Sequence, residues 1–175
     1  MEDLRYPMGQ FSFPQQASTV EERREWIQQI AETPANMRAA VAGLNAEQLA
    51  TPYRPGGWTV AQVVHHVPDS HLHSYIRFKF ALTEDNPTIK PYDEARWAKL
   101  PDAIETPVEV SLQLLEALHS RWVRFLESLS PAEYTRSLFH PELGTVRLEQ
   151  ILALYAWHGR HHVGHITALR RRMSW

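Results

Sequence analysis

Trp157-His158-Gly159-Arg160-His161-His162-Val163-Gly164-His165 places four of the chain's ten histidines within eight consecutive residues. Around this run, Leu148, Ile151, Tyr155, His158, His162, His165 and Leu169 recur three and four positions apart, the spacing of one buried helix face. The pattern predicts a long final helix over about 148–172 packed in a bundle. Two imidazoles at i and i+4 on such a face stand one turn apart, so they can offer two nitrogens to one metal ion.

N-terminal to this helix the chain carries further helix signals. Thr59-Val60-Ala61-Gln62 has capping-box spacing and opens a helix to about Leu82, with His65, His66, His71 and His73 along it and Pro68 about two turns in. Ser18-Thr19-Val20-Glu21 opens another, carrying Trp26, Ile27, Ile30, Met37 and Val41, which Pro34 is expected to kink or split. Thr106-Pro107-Val108-Glu109 pairs an N-cap with proline at the first helical position and precedes Leu112, Leu115, Trp122, Phe125 and Leu129. Asn45 to Gln48 and Ser130 to Glu133 read as caps of short turns, and 52–57 and 139–144 as loops. Residues 83–105 form a long connection with a short helix near 93–99, of the kind that crosses a domain or covers a site. Residues 1–17, with Pro7, Gly9 and Pro14, read as an extended arm on the body. The expected architecture is one all-α domain over 1–175, a four-helix bundle with a long crossover and short extra helices.

Composition narrows the chemistry. With no cysteine, any protein-held metal must use His, Asp or Glu, and no thiol nucleophile is available. A net charge of -2 gives no global attraction to nucleic acid, and Arg170-Arg171-Arg172 complements the dipole at the end of the last helix. No apolar run has the length of a signal peptide or membrane span, so the expectation is a cytoplasmic protein with no membrane or nucleic-acid partner.

A third ligand for the histidine pair should come from the other histidine-rich helix. His65 shares a stripe with Asp69, Leu72 and Ile76, His66 one with Val63, Ser70 and His73, and spacing does not choose between them. Gly57-Trp58-Thr59-Val60-Ala61-Gln62-Val63-Val64-His65-His66-Val67-Pro68-Asp69-Ser70-His71, followed by His158-x-x-x-His162, resembles the DinB/YfiT superfamily, and the wider text is similar to its YfiT branch. That resemblance implies a four-helix bundle with one long crossover and a metal held by three histidines. Its pattern sets one ligand eight residues after the tryptophan that opens the second helix, which is His66; the other two match His158 and His162. Pro68 departs from the branch, where a small residue is common.

Three neutral ligands leave a divalent ion its full charge and at least one open position, whereas structural zinc sites are usually closed by four ligands. Such an ion can lower a bound water's pKa towards about 7 or hold a thiol as thiolate. The expected cofactor is zinc or nickel, although imidazoles also suit copper and ferrous iron. The resemblance implies either hydrolysis of an amide or ester, or S-transfer from a bacillithiol-type thiol to a small electrophile; a non-catalytic metal-binding stress-response module is the reading from another class. S-transfer is the leading expectation, with a small-molecule thiol and an electrophile as partners and, by resemblance, a homodimer. Arg54, Arg77, Arg160 and Tyr92 are candidates for holding an anionic thiol. Asp69 is a candidate general base or acceptor that sets a histidine tautomer. His71, His73, His161 and His165 read as packed or surface imidazoles, His119 and His140 carry no functional signal, and Trp58 and Trp157 are expected to wall a cleft.

Overall fold

The computed structural model describes residues 3–175. Four long helices dominate it: α1 (Val20–Val41), α3 (Val60–Thr83), α6 (Val108–Glu127) and α8 (Leu148–Met173). Between them lie the short helices α2 (Ala46–Leu49), α4 (Glu94–Trp97), α5 (Pro101–Glu105) and α7 (Pro131–Tyr134).

Caps explain most of the boundaries. Thr59 and Gln62 close the expected box at the start of α3, and Asn45 and Ser130 cap α2 and α7. At α1 the box is Thr19 with Glu22, one residue later than expected. Ser18 is committed elsewhere: its N–H and hydroxyl both donate to the buried Glu149 carboxylate, at 2.8 and 2.6 Å. The start of α6 also differs, because Pro107 occupies the N-cap and no side chain caps the helix. Two short helices replace the single one expected near 93–99, since Pro101 starts a new turn after Leu100.

The sequence 139–144, read as a loop, belongs instead to a hairpin of β1 (Ser137–His140) and β2 (Gly144–Arg147). Leu138 pairs with Val146 and both are buried, while Gly144 supplies the positive φ of 76° at the turn. One hairpin against eight helices leaves the fold all-α.

Helices α1 and α3 each pack chiefly on α6 and α8, so the four make a closed bundle with α1 diagonal to α3. Its interior has two apolar halves. One is built from residues such as Phe78, Trp122, Leu126 and Leu152, the other from residues such as Met37, Val63, Leu115 and Ile166. Near the junction of the two halves every long helix carries polar side chains: Thr33 on α1, His66 and His71 on α3, His119 on α6, and His158 and His162 on α8. A polar layer across the middle of the core is the setting of the functional site.

Both internal prolines sit in unbroken helices, so Pro34 neither splits α1 nor Pro68 α3. Each still lacks an N–H, leaving the carbonyl four residues earlier, on Ile30 and on Val64, without its helical donor.

The arm, of which residues 1 and 2 fall outside the described residues, touches α8. The Gln150 side chain donates to the Pro14 carbonyl at 3.1 Å, and Phe11 packs on Trp157. Among the described residues no helix is long and apolar enough to cross a membrane.

Candidate metal centre

His66 lies two turns into α3, where the Thr59–Gln62 cap sets the helix phase, and faces the i, i+4 pair His158 and His162 on α8. The Nε2 of His158 is 3.4 Å from the Nε2 of His66 and 3.2 Å from that of His162. One ligand nitrogen from each ring lies within 4.8 Å of the others. Tetrahedral coordination with metal–nitrogen bonds of about 2.0–2.1 Å requires nitrogens about 3.3 Å apart. Two of the three separations match that spacing and the third lies within 4.8 Å, so the donor set can close on one divalent ion. This is the only cluster of three or more potential ligands among the described residues, so protein groups would leave a position open.

Burial keeps these rings neutral, as metal ligation requires. His158 and His162 are held well below the ordinary histidine value by loss of solvent and then by neighbouring imidazoles. His66 is pushed down to about 4 by burial. Trp58 packs 4.7 Å from His66 and lies nearly parallel to His162, at 14° and 6.5 Å, so the aromatic wall expected from the sequence is present.

Behind His158 stands a second row of rings. Its Nδ1 is 3.1 Å from the Nε2 of His71, whose Nδ1 is 2.9 Å from the Nε2 of His119; the His119 Nδ1 is 2.7 Å from the Ile30 carbonyl oxygen. His71 and His119 are both essentially inaccessible to solvent. Sequence reasoning missed this pair. His71 shares no simple helical period with His66, but His119 left a signal as the one ionisable side chain in the otherwise apolar stripe Leu112, Leu115, His119, Trp122, Leu126.

A cleft of about 560 Å³ opens on the three ligands. Arg54, Arg77 and Tyr92 line it, as does Trp157. Arg77 keeps its buried Nε without a partner, and neither Arg54 nor Arg77 pairs with a carboxylate among the described residues. Tyr92 arrives on the connection between α3 and α4 and stacks on His73 at 4.3 Å; burial raises its phenol. His161 and His165 also line the cleft, with their Nε2 atoms 3.0 Å apart.

Two expected site residues lie elsewhere. Arg160 is exposed beside a separate hollow with Thr33 and Asn36, because its position on α8 faces away from the His158–His162 stripe. Asp69 does not line the cleft: one position before Ser70, which does, it is rotated about 100° away on α3. Its carboxyl is pushed up to about 6 by burial and then by Asp102. In their place the arm contributes Arg5 and Tyr6, which the sequence showed only as part of an irregular segment. The seat of this arm is Gly164, where a Cβ would meet Met8 Cγ at 3.1 Å and Pro7 Cγ at 3.2 Å.

Comparison with known proteins places these features in a wider group. Residues 29–166 match the family model of the DinB superfamily. The chain is 55% identical to a Bacillus mycoides (strain KBAB4) protein and to a Bacillus cereus (strain 03BB102) protein, in each case over 100% of both chains; both are named, provisionally, as metal-dependent hydrolases. It superposes with a TM-score of 0.95, at 47% identity and 98% coverage of both chains, on YfiT from Bacillus subtilis, described as a probable metal-dependent hydrolase with an unusual four-helix bundle topology. The four-helix bundle protein TT2238 shares the fold at a TM-score of 0.61 and 18% identity.

Proposed function

Because the chain belongs to the DinB superfamily, and its full-length relatives carry names of metal-dependent hydrolases, we propose that it is an enzyme whose divalent ion is held by His66, His158 and His162 and which transfers a small thiol to an electrophile. The observation that carries this reading is the open position of a three-histidine set facing a cleft with uncompensated arginines. When bound, zinc or nickel would supply Lewis acidity, lowering the pKa of a bound thiol so that its proton can pass to solvent water without a carboxylate base at the ion. Arg54 and Arg77 would hold the carboxylates of an anionic, bacillithiol-type cosubstrate, and the Tyr92 phenol, kept protonated by its burial, would donate a hydrogen bond. Trp58 and Trp157 would exclude water from the reacting sulfur. Asp69 lies off the cleft, which favours this reading over one that needs a carboxylate base at the ion.

Hydrolysis of an amide or ester at the same centre is the second reading, favoured by the names of the relatives. The two separate by cosubstrate. Tag-free, metal-loaded protein should consume a chloroarene only when a low-molecular-weight thiol is added and should stop with a chelator. Thiol-independent cleavage of an activated ester in buffer, with no thiol adduct, would replace transfer by hydrolysis. The proposal includes a homodimer: Leu72, Ile76 and Phe80, one turn apart on α3, are 39%, 39% and 45% exposed, a strip suited to an isologous contact. Sedimentation should find dimers that Ile76→Glu dissociates, and a wild-type monomer at every concentration would remove that part.

A further inference from the structure

Pro34 acts at a distance from its own helix. Without an N–H at residue 34, the Ile30 carbonyl has no helical donor, and the His119 Nδ1 at 2.7 Å takes that role. A carbonyl oxygen only accepts, so Nδ1 of His119 carries the hydrogen. In a neutral ring its Nε2 is then a lone pair, and His71 Nδ1, 2.9 Å away, must donate to it. The same reasoning leaves the His71 Nε2 bare and makes His158 Nδ1, at 3.1 Å, its donor. The Nε2 of His158 is left as a lone pair, pointing at the space between the Nε2 atoms of His66 and His162.

We propose that His71 and His119 are positioning residues: a wire of imidazoles anchored on the carbonyl that Pro34 frees, fixing His158 in the one tautomer able to ligate an ion. It rests on the three-histidine reading of the centre. Protons do not travel along this wire, because the Ile30 carbonyl is not a base that could take one; its content is orientation. It also differs from the usual carboxylate behind a metal-bound histidine in adding no negative charge, so the ion would keep more of its acidity. The other α8 ligand has no such support: the Nδ1 of His162 is buried without a partner.

The test begins with metal-free, ¹⁵N-histidine-labelled protein at neutral pH, in which two-bond ¹H–¹⁵N correlations report each tautomer. His119, His71 and His158 should all be Nδ1–H. An Nε2–H tautomer at His158, or a doubly protonated His71, overturns the wire, and this readout needs neither a variant nor an ion. Chelator competition then measures metal affinity. His119→Leu should weaken it by about 10- to 100-fold, as loss of an outer partner does. His119→Gln, which can both donate and accept, should recover most of that loss. Pro34→Ala, which restores a competing N–H to Ile30, should weaken binding in the same direction by a smaller factor. Unchanged affinity in a folded His119→Leu protein overturns the proposal; if that variant does not fold, the wild-type tautomers still decide. Failure of the unmodified protein to bind any ion counts against the three-histidine reading and leaves the tautomer result standing.

Discussion

His66, rather than His65, is the α3 residue placed to be a ligand: its Nε2 lies 3.4 Å from that of His158, whereas the Nδ1 of His65 is taken at 2.7 Å by the Ser111 hydroxyl. The two side chains are adjacent in sequence and both flank polar stripes, so only their partners on α8 and α6 separate them. Loss of a ligand should therefore discriminate. After gel filtration, elemental analysis should find stoichiometric metal in wild type and His65→Ala, and a loss beyond the about 10- to 100-fold of an outer-shell change in His66→Ala and His158→Ala. Asp69 gives a second test at this scale. Its folded pKa of about 6 stands above its ordinary 3.8, so the stability it contributes is intact below pH 3.8 and is lost as pH rises through 6. Asp69→Asn removes that cost. Urea unfolding should show the variant more stable by about 1–2 kcal/mol at pH 8, after discounting for partial exposure, and equal to wild type near pH 3.5. A variant no more stable at pH 8 would mean that the carboxylate is solvated.

At the level of elements, the long helices and most of their caps were legible because capping boxes and three-four spacing are local signals. The hairpin was not, since two four-residue strands carry too little alternation to stand out from a loop. The shifted cap of α1 depended on Glu149, 131 residues away in sequence. Contact between α1 and α8 is another non-local feature, and Gly159 is what permits it. A Cβ there would lie 2.5 Å from Thr33 Oγ1 and 2.8 Å from Thr33 Cγ2. Thr33 cannot swing aside freely, because its hydroxyl donates to the Gln29 carbonyl at 2.9 Å. Alanine should gain about 1 kcal/mol in helix propensity but lose more to overpacking, so Gly159→Ala should destabilise by about 1–2 kcal/mol net. Thr33→Ala in the same chain should restore most of it, and additivity in the double-mutant cycle would show that the two positions do not touch.

For the whole molecule the central fact is that a polar layer divides the core. The apolar clusters on either side could pack as one, yet between them lie buried imidazoles, several with a ring nitrogen that has no partner: Nδ1 of His161, of His162 and of His165. Each such group costs folding free energy, about 1–3 kcal/mol where no water reaches it. The sequence signalled the layer through its density of histidine, but not that it crosses all four helices, because Thr33 looks ordinary in its own segment and the lone histidine of the α6 stripe does not say which rings it meets. An ion held by His66 on α3 and by His158 and His162 on α8 would join helices whose ligands are 92 residues apart along the chain. It binds the folded state alone, so at a free concentration of about 100 times its dissociation constant it should add about 2.7 kcal/mol. For a domain of this size each kcal/mol moves the midpoint by about 2–4 °C, so thermal unfolding should rise by about 5–10 °C with metal and return with chelator. His66→Ala should lose that response. His165→Ala, outside the proposed set, should keep it, and a midpoint indifferent to metal in the wild type would mean that the layer is a packing feature with no ion to balance its cost.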